Sequence, residues 1–163
     1  ISNQKLNAMG IKSFMGKRAE PEKPAELPIS VKDYMATNLV TFREHENIMD
    51  VMEKLIKHGI SGGCIVNEKS ELLGMISEGD CMKQISESRY YNMPMSDLTV
   101  GKRMNRNVTT IDGNMNVLEA ANKFTELKFR RFPIVENGRL IGQISQRDVL
   151  HAAIRLKAQT WTR

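Results

Sequence analysis

Two stretches of the chain set a serine and an aspartate three residues apart behind a glycine: "GMISEGD" at 74–80 and "GQISQRD" at 142–148. Each follows an apolar, strand-like run and opens a helix-like one. Residues of these types at this spacing can do two kinds of chemistry. Ser77 or Ser145, as a helix N-cap, can accept a hydrogen bond from the backbone N–H three residues on, while Asp80 or Asp148 sits near the positive helix end. A full capping box prefers Glu or Gln at that third position, so the match is partial. Alternatively, the carboxylate can accept paired hydroxyl donors from a ligand, beside the unpaired N–H groups that a helix start presents to an anion. Arg130 and Arg131, in "FRRFP", add planar, multidentate anion recognition.

Other chemistry finds little support. His45, His58 and His151 lie far apart and make no metal-spaced motif, so surface or capping roles are expected for them. No serine sits in a nucleophile elbow, no Walker lysine motif occurs, and the glycines at 59–63 make no dinucleotide fingerprint. Nothing pairs the carboxylates for general acid–base work, so we expect no enzyme and no metal site. Cys64 and Cys81 are too few for a disulfide scaffold or a structural zinc; both read as reduced thiols, Cys64 buried in a strand, which fits a cytoplasmic protein. The net charge of +5, from 24 basic and 19 acidic residues, permits a polyanion or a phosphate-bearing small molecule and demands neither. Only 6% of residues are aromatic, and Phe129 and Phe132 fit a strand and core pattern, so nucleic acid is not the expected partner. No apolar run approaches the roughly 20 residues of a membrane helix, and no signal peptide is evident.

The elements that must carry the two motifs come from an internal repeat. Val31, Met35, Asn38 and Thr41 match Val100, Met104, Asn107 and Thr110; after a one-residue gap near 69–71, Leu72, Gly74, Ser77 and Asp80 match Leu140, Gly142, Ser145 and Asp148. Each copy starts with a turn ending in Met35 or Met104, followed by a brief strand, "LVTF" or "VTTI". An amphipathic helix comes next: Ile48, Val51, Met52, Leu55 and Ile56 share one face in copy one, as do Val117, Ala120, Ala121, Phe124 and Leu127 in copy two. Gly59 stops the first of these helices. Two strands form a hairpin, across "NEKS" in copy one and "NG" in copy two, and Asn-Gly is a strong hairpin signal. A last helix spans about 78–90 or about 146–158. The unit is β-α-β-β-α, an α/β module too small to stand alone, and two copies packed sheet to sheet with pseudo-two-fold symmetry would bury a common core. The expected organisation is an N-terminal segment and linker over 1–28, a first repeat over 29–91, and a second repeat with a basic C-terminal tail over 92–163. In the first segment, "GKRAEPEKPAELP" reads as a linker, and Met9, Ile11, Phe14 and Met15 could line one face of a short helix.

The arrangement resembles a tandem pair of CBS domains from about Val31 to about Ala153. The resemblance rests on the "V-x-x-x-M" lead-in of each copy and on "RRFPIVENGRLIGQISQRD" at 130–148. It implies a regulatory or sensory module that binds an adenosine-containing ligand, AMP, ADP, ATP or S-adenosylmethionine, in a cleft between the copies. Asp148 with Ser145, and Asp80 with Ser77, would hold the ribose and its neighbourhood. The first strands, Leu39–Thr41 with Val40 and Thr41, and Val108–Thr110 with Thr109 and Thr110, would line the adenine. Arg130 and Arg131 would face phosphates. Copy one departs from the pattern: "SGG" at 61–63 replaces "RRF" at 130–132, and Cys64 stands where copy two has Pro133. Those glycines either admit a ligand closely or relax the backbone. The better site is therefore expected at Asp148, with Asp80 second. The resemblance also implies a homodimer through helical faces, with "MDVMEKLIKH" and "LEAANKFTEL" as candidate contacts. The alternative is a structural dimerisation or protein-interaction module with vestigial pockets and an unidentified protein partner, since fold alone does not settle function.

Overall fold

The computed structural model describes residues 29–92, 94 and 98–160, with side chains through Ala158. The candidate helix face of the N-terminal segment and the Pro-rich linker lie outside them. The repeat is realised as two three-stranded sheets. In copy one, β1 (Thr41–Phe42), α1 (Ile48–His58), β2 (Gly62–Val66), β3 (Leu72–Ser77) and α2 (Glu78–Tyr91) follow in order. In copy two the order is β4 (Ile111–Asp112), α3 (Val117–Leu127), β5 (Arg131–Glu136), β6 (Arg139–Ser145) and α4 (Gln146–Thr160). In each sheet the short first strand runs parallel to the central strand, and the third closes an antiparallel hairpin on it. A parallel partner needs a crossover, and α1 and α3 supply it.

Local chemistry accounts for the boundaries. Asn47 and Asn116 cap α1 and α3, each side chain accepting from the backbone N–H two residues on. Gly59 ends α1 in the left-handed conformation, at φ +62°. The Asn137-Gly138 turn has positive φ at both residues, the geometry whose twist matches a hairpin. The first strands are shorter and later than expected. Only Thr41–Phe42 and Ile111–Asp112 join the ladders, so Leu39, Val40 and Val108–Thr110 run in ahead of their sheets. The helix faces are also narrower than the sequence pattern suggests. Ile56 is 82% exposed and Leu127 42%. At 100° per residue Ile56 falls at the edge of its stripe, while Leu127 is the last residue of α3.

The two repeats pack sheet to sheet as expected, and each sheet carries its own buried cluster. Buried side chains divide into two clusters, one per sheet: Phe42, Ile48, Val51, Ile65 and Ile76 anchor the first, and Ile111, Val117, Phe124, Phe132 and Ile144 the second. Each cluster is completed by the other copy's lead-in. Val31 and Met35 pack into the copy-two core, while Val100 and Met104 pack into that of copy one. Reciprocal bridges fasten the exchange: Ala36 pairs with Gln143, and Asn105 with Met75. The pseudo-two-fold relation rests on this exchange and on sheet-edge contacts such as the Glu71–Arg139 bridge. The lead-ins therefore belong by sequence to one copy and by packing to the other.

The exchange explains the glycine that opens each motif. A Cβ on Gly74 would stand 2.7 Å from the Asn105 carbonyl oxygen, and one on Gly142 would stand 2.5 Å from Met35 Sδ and 2.8 Å from the Ala36 carbonyl oxygen. The lead-in of one copy crosses the third strand of the other at van der Waals contact, and only hydrogen fits between them.

Candidate functional site

At the start of α2, Ser77 and Asp80 make a reciprocal cap. Ser77 Oγ accepts from the Asp80 backbone N–H at 3.2 Å. The Ser77 backbone N–H and hydroxyl both donate to Asp80 Oδ2 at 2.8 Å. Ser145 and Asp148 repeat the arrangement at α4, with 3.2 Å for the cap and 2.7 and 2.9 Å to Asp148 Oδ2. An aspartate thus completes the box in place of the usual glutamate. The cap uses one carboxylate oxygen in each case, and Oδ1 is not part of it.

Around Asp80 the two copies enclose a cleft of about 350 Å³. This lies within the size range of small-ligand pockets. Copy one contributes the third strand and the cap: Met75, Ile76, Ser77 and Asp80, with Ser61 and Gly62 beside them. Copy two contributes Val108 and Thr109, the flanking Asn105 and Asn107, and Phe129, Arg130, Arg131 and Pro133. The exchanged lead-in is what brings them together. Asn105, held on Met75 by paired backbone hydrogen bonds of 2.8 and 2.9 Å, delivers the chain through Val108 and Thr109 along the wall. Asn105 Oδ1 accepts from the Asn107 N–H at 3.0 Å and turns that segment.

The sequence-predicted residues are gathered unevenly. Ser77, Asp80, Thr109, Arg130 and Arg131 line this one cleft. Thr110 faces a separate depression of about 220 Å³ with Leu72–Gly74 and Arg106. Thr41 pairs with Cys64 in the ladder, and Val40 packs against the copy-one core. Arg130 and Arg131 share this cleft with Asp80, and Arg131 Nη2 donates to Ser61 Oγ at 2.8 Å, across the boundary between the copies. The glycines of "SGG" serve packing, since a Cβ on Gly62 would lie 2.7 Å from the Ile76 carbonyl oxygen and one on Gly63 2.6 Å from the Phe42 ring. Phe132 is core as expected, whereas Phe129 is 44% exposed on the cleft rim, its ring edge-on to Phe132 at 5.5 Å.

The electrostatics are one-sided. Arg130 and Arg131 make one wall positive, opposite the single carboxylate of Asp80 among the lining side chains. Cys64, 2% exposed, has its thiol pushed up to about 11 by burial, with Arg131 pulling the other way. It stands as a neutral thiol 3.9 Å from Gln143 Oε1. Among the described residues, no three His, Cys, Asp or Glu side chains converge as a metal site, and His45, His58 and His151 are all exposed. No described helix is long and apolar enough to cross a membrane. Sequence reasoning missed Ser61, Met75, Asn105, Asn107 and Phe129. Of these only Asn107 carried a signal, as the match of Asn38 in the repeat.

The family profile of the CBS domain matches residues 31–87 and 96–155, one span per copy. Among curated proteins, the uncharacterised protein MK0525 of Methanopyrus kandleri is 32% identical over 124 residues, covering 75% of this chain and 61% of that protein. MJ1225 of Methanocaldococcus jannaschii is 25% identical over 154 residues, 89% of this chain and 53% of that protein. The chain thus spans between about half and three fifths of the length of these two relatives. Among solved structures, CBSX2 in complex with AMP superposes with a TM-score of 0.70 at 26% identity, covering 78% of this chain and 98% of that one. CBSX2 is an Arabidopsis thaliana protein. ATU1752 of Agrobacterium tumefaciens, described as CBS-domain containing, gives a TM-score of 0.65 at 26% identity over 78% of this chain and 95% of that one. Two β-α-β-β-α units with exchanged lead-ins, each spanned by the family profile, make this chain a member of the CBS domain family, as a tandem pair.

Proposed function

We propose that the chain is a regulatory module that binds an adenosine-containing ligand, AMP, ADP, ATP or S-adenosylmethionine, in the cleft at Asp80. One observation carries this reading: a carboxylate, two arginines and a threonine wall from opposite copies converge on a single cleft large enough for a mononucleotide. Asp80 Oδ1, which the cap does not use, accepts from the ribose hydroxyls, a charge-assisted bond. Val108 and Thr109 offer apolar surface and hydrogen-bonding groups to the base. Arg130 and Arg131 take the phosphate, with Arg131 leaving Ser61 to do so. The AMP complex of CBSX2, at 26% identity, supports the ligand class. A ligand held by both copies favours whichever relative arrangement offers it both walls, and shifts the population by that difference in affinity.

The test is isothermal titration of ligand-stripped protein with AMP, ADP, ATP and S-adenosylmethionine, repeated on Asp80→Ala and Asp148→Ala. Saturable binding of one ligand, weakened at least tenfold (about 1.4 kcal/mol) by Asp80→Ala in a protein of unchanged circular dichroism, is the expected result. Greater loss from Asp148→Ala would move the main site to the other cap. Heat from none of the four would favour the second reading, a dimerisation or protein-interaction module. That reading draws on the exposed apolar residues at matching positions of the two copies, Met49 with Leu118 and Met82 with Leu150.

A further inference from the structure

Ser61 and Arg131 come from different copies and meet inside the Asp80 cleft. In the repeat, Ser61 takes the place of Arg130, and the two carbonyls do the same work. That of Ser61 accepts from the Glu78 N–H at 2.9 Å, and that of Arg130 from the Gln146 N–H at 3.2 Å. The next residue, Gly62, pairs with Ser77 in the ladder. Ser61 is therefore anchored by its backbone on the first turn of α2, the turn that carries Asp80. Its side chain turns to copy two, where Arg131 Nη2 donates to Ser61 Oγ at 2.8 Å. Arg130 is exposed, whereas Ser61 and Arg131 are both half-buried, so water competes less for this bond than for one on the open surface. A cation at position 61, such as copy two has at 130, would repel Arg131; a small hydroxyl holds it instead.

We infer that Ser61 is a specificity-determining residue: it competes with a ligand's phosphate for Arg131, and so limits how strongly the cleft prefers a phosphate-bearing ligand to a phosphate-free one. This rests on the nucleotide reading above and deepens it. A bidentate grip on a phosphate draws two parallel N–H groups from one edge of the guanidinium. The Nη2 N–H given to Ser61 belongs to such an edge, so the phosphate gains that edge of Arg131 only in exchange for the Ser61 bond. Hydrogen bonds from a charged donor are among the stronger ones, and the bond that is broken is subtracted from the affinity. A nucleoside makes no demand on Arg131, and its affinity carries no such subtraction. Removing the Ser61 hydroxyl therefore strengthens binding of the phosphate-bearing ligand alone.

The experiment is isothermal titration of the ligand-stripped full chain and of Ser61→Ala with AMP and, separately, with adenosine. Ser61→Ala is expected to bind AMP more tightly than wild type by about threefold or more, with adenosine bound equally by the two proteins. In an Arg131→Met background the same substitution should leave AMP affinity unchanged, because the contested donor is gone. Unchanged AMP affinity in Ser61→Ala would overturn the competition. Weaker AMP binding would also overturn it, and would make Ser61 a support of the phosphate rather than its rival. An equal gain for adenosine, or a gain that persists without Arg131, would assign the effect to the shape of the cleft and overturn the competition while leaving nucleotide binding intact. Failure of wild-type protein to bind either ligand would overturn the nucleotide reading, and the competition with it.

Discussion

A capping role and a ligand role for Ser-x-x-Asp looked like rivals, and the atoms reconcile them. Asp80 and Asp148 cap with Oδ2 alone, so the same carboxylate can order the helix start and still present Oδ1. The cap also fixes the carboxylate's orientation, which would lower the ordering cost of binding the proposed ligand. Cys64 is the residue whose ionisation bears most directly on stability. Its folded thiol is raised to about 11 from a reference of 9.0, so between those values the unfolded chain has released the proton that the folded chain retains. The folded state then binds more protons, and stability must fall as pH rises. We predict a loss on the order of 2–3 kcal/mol between pH 9 and pH 11. Urea unfolding across that range should show it, and Cys64→Val should flatten this part of the profile. An equal slope in that variant would assign the loss to other groups.

The lead-in turns are the elements on which the architecture depends. Each turn is short, with Val31–Asp33 and Val100–Lys102 as single 3₁₀ turns, yet each places a fully buried valine in the opposite core. Close approach is possible only over a glycine. Gly142→Ala would put a methyl group on the backbone of Ala36 and the sulfur of Met35. The expected cost is about 1–3 kcal/mol, the range for overpacking a tight contact. Because the displaced lead-in belongs by sequence to copy one and by packing to copy two, the site of damage is diagnostic. Amide exchange should quicken in α3 and α4 while α1 and α2 stay protected. The reverse pattern would contradict the exchanged packing. Gly74→Ala should do the opposite, loosening copy one through Met104.

At the scale of the molecule, duplication places pairs of apolar side chains on the outer helices. Met49 and Leu118 are 41% and 57% exposed, and Met82 and Leu150 are 65% and 64% exposed. Side chains left open at the same places in both copies would be covered together by a second chain using both repeats, as in a closed two-fold assembly. Sedimentation equilibrium is therefore expected to give a dimer, and Met82→Glu combined with Leu150→Glu to give a monomer with unchanged circular dichroism. A monomeric wild-type protein at tens of micromolar would remove this proposal without touching the cleft. The proposed nucleotide binding predicts a whole-chain effect: free ligand at about a hundred times its dissociation constant should stabilise the fold by about 2.7 kcal/mol. The rise in melting temperature should be lost with Asp80→Ala.

Periodicity and turn chemistry made the repeat unit readable from sequence. The helical stripes of α1 and α3, the Asn137-Gly138 turn and the Gly59 stop are local signals, set by which side chains lie within a few residues of one another. The motif residues Ser77, Asp80, Ser145 and Asp148 were legible for the same reason, because a cap is made within four residues. The partners of each motif were not legible. That Arg130 and Arg131 line the same cleft as Asp80 depends on packing between residues about 50 positions apart, which no local pattern records. The roles of Gly74 and Gly142 were hidden in the same way, since the atoms that exclude a Cβ come from the other copy's lead-in. Sequence determined the elements and the chemistry placed at their ends; only the exchange of lead-ins, driven by burial of Val31 and Val100 in opposite cores, decided which of those ends face a common cleft.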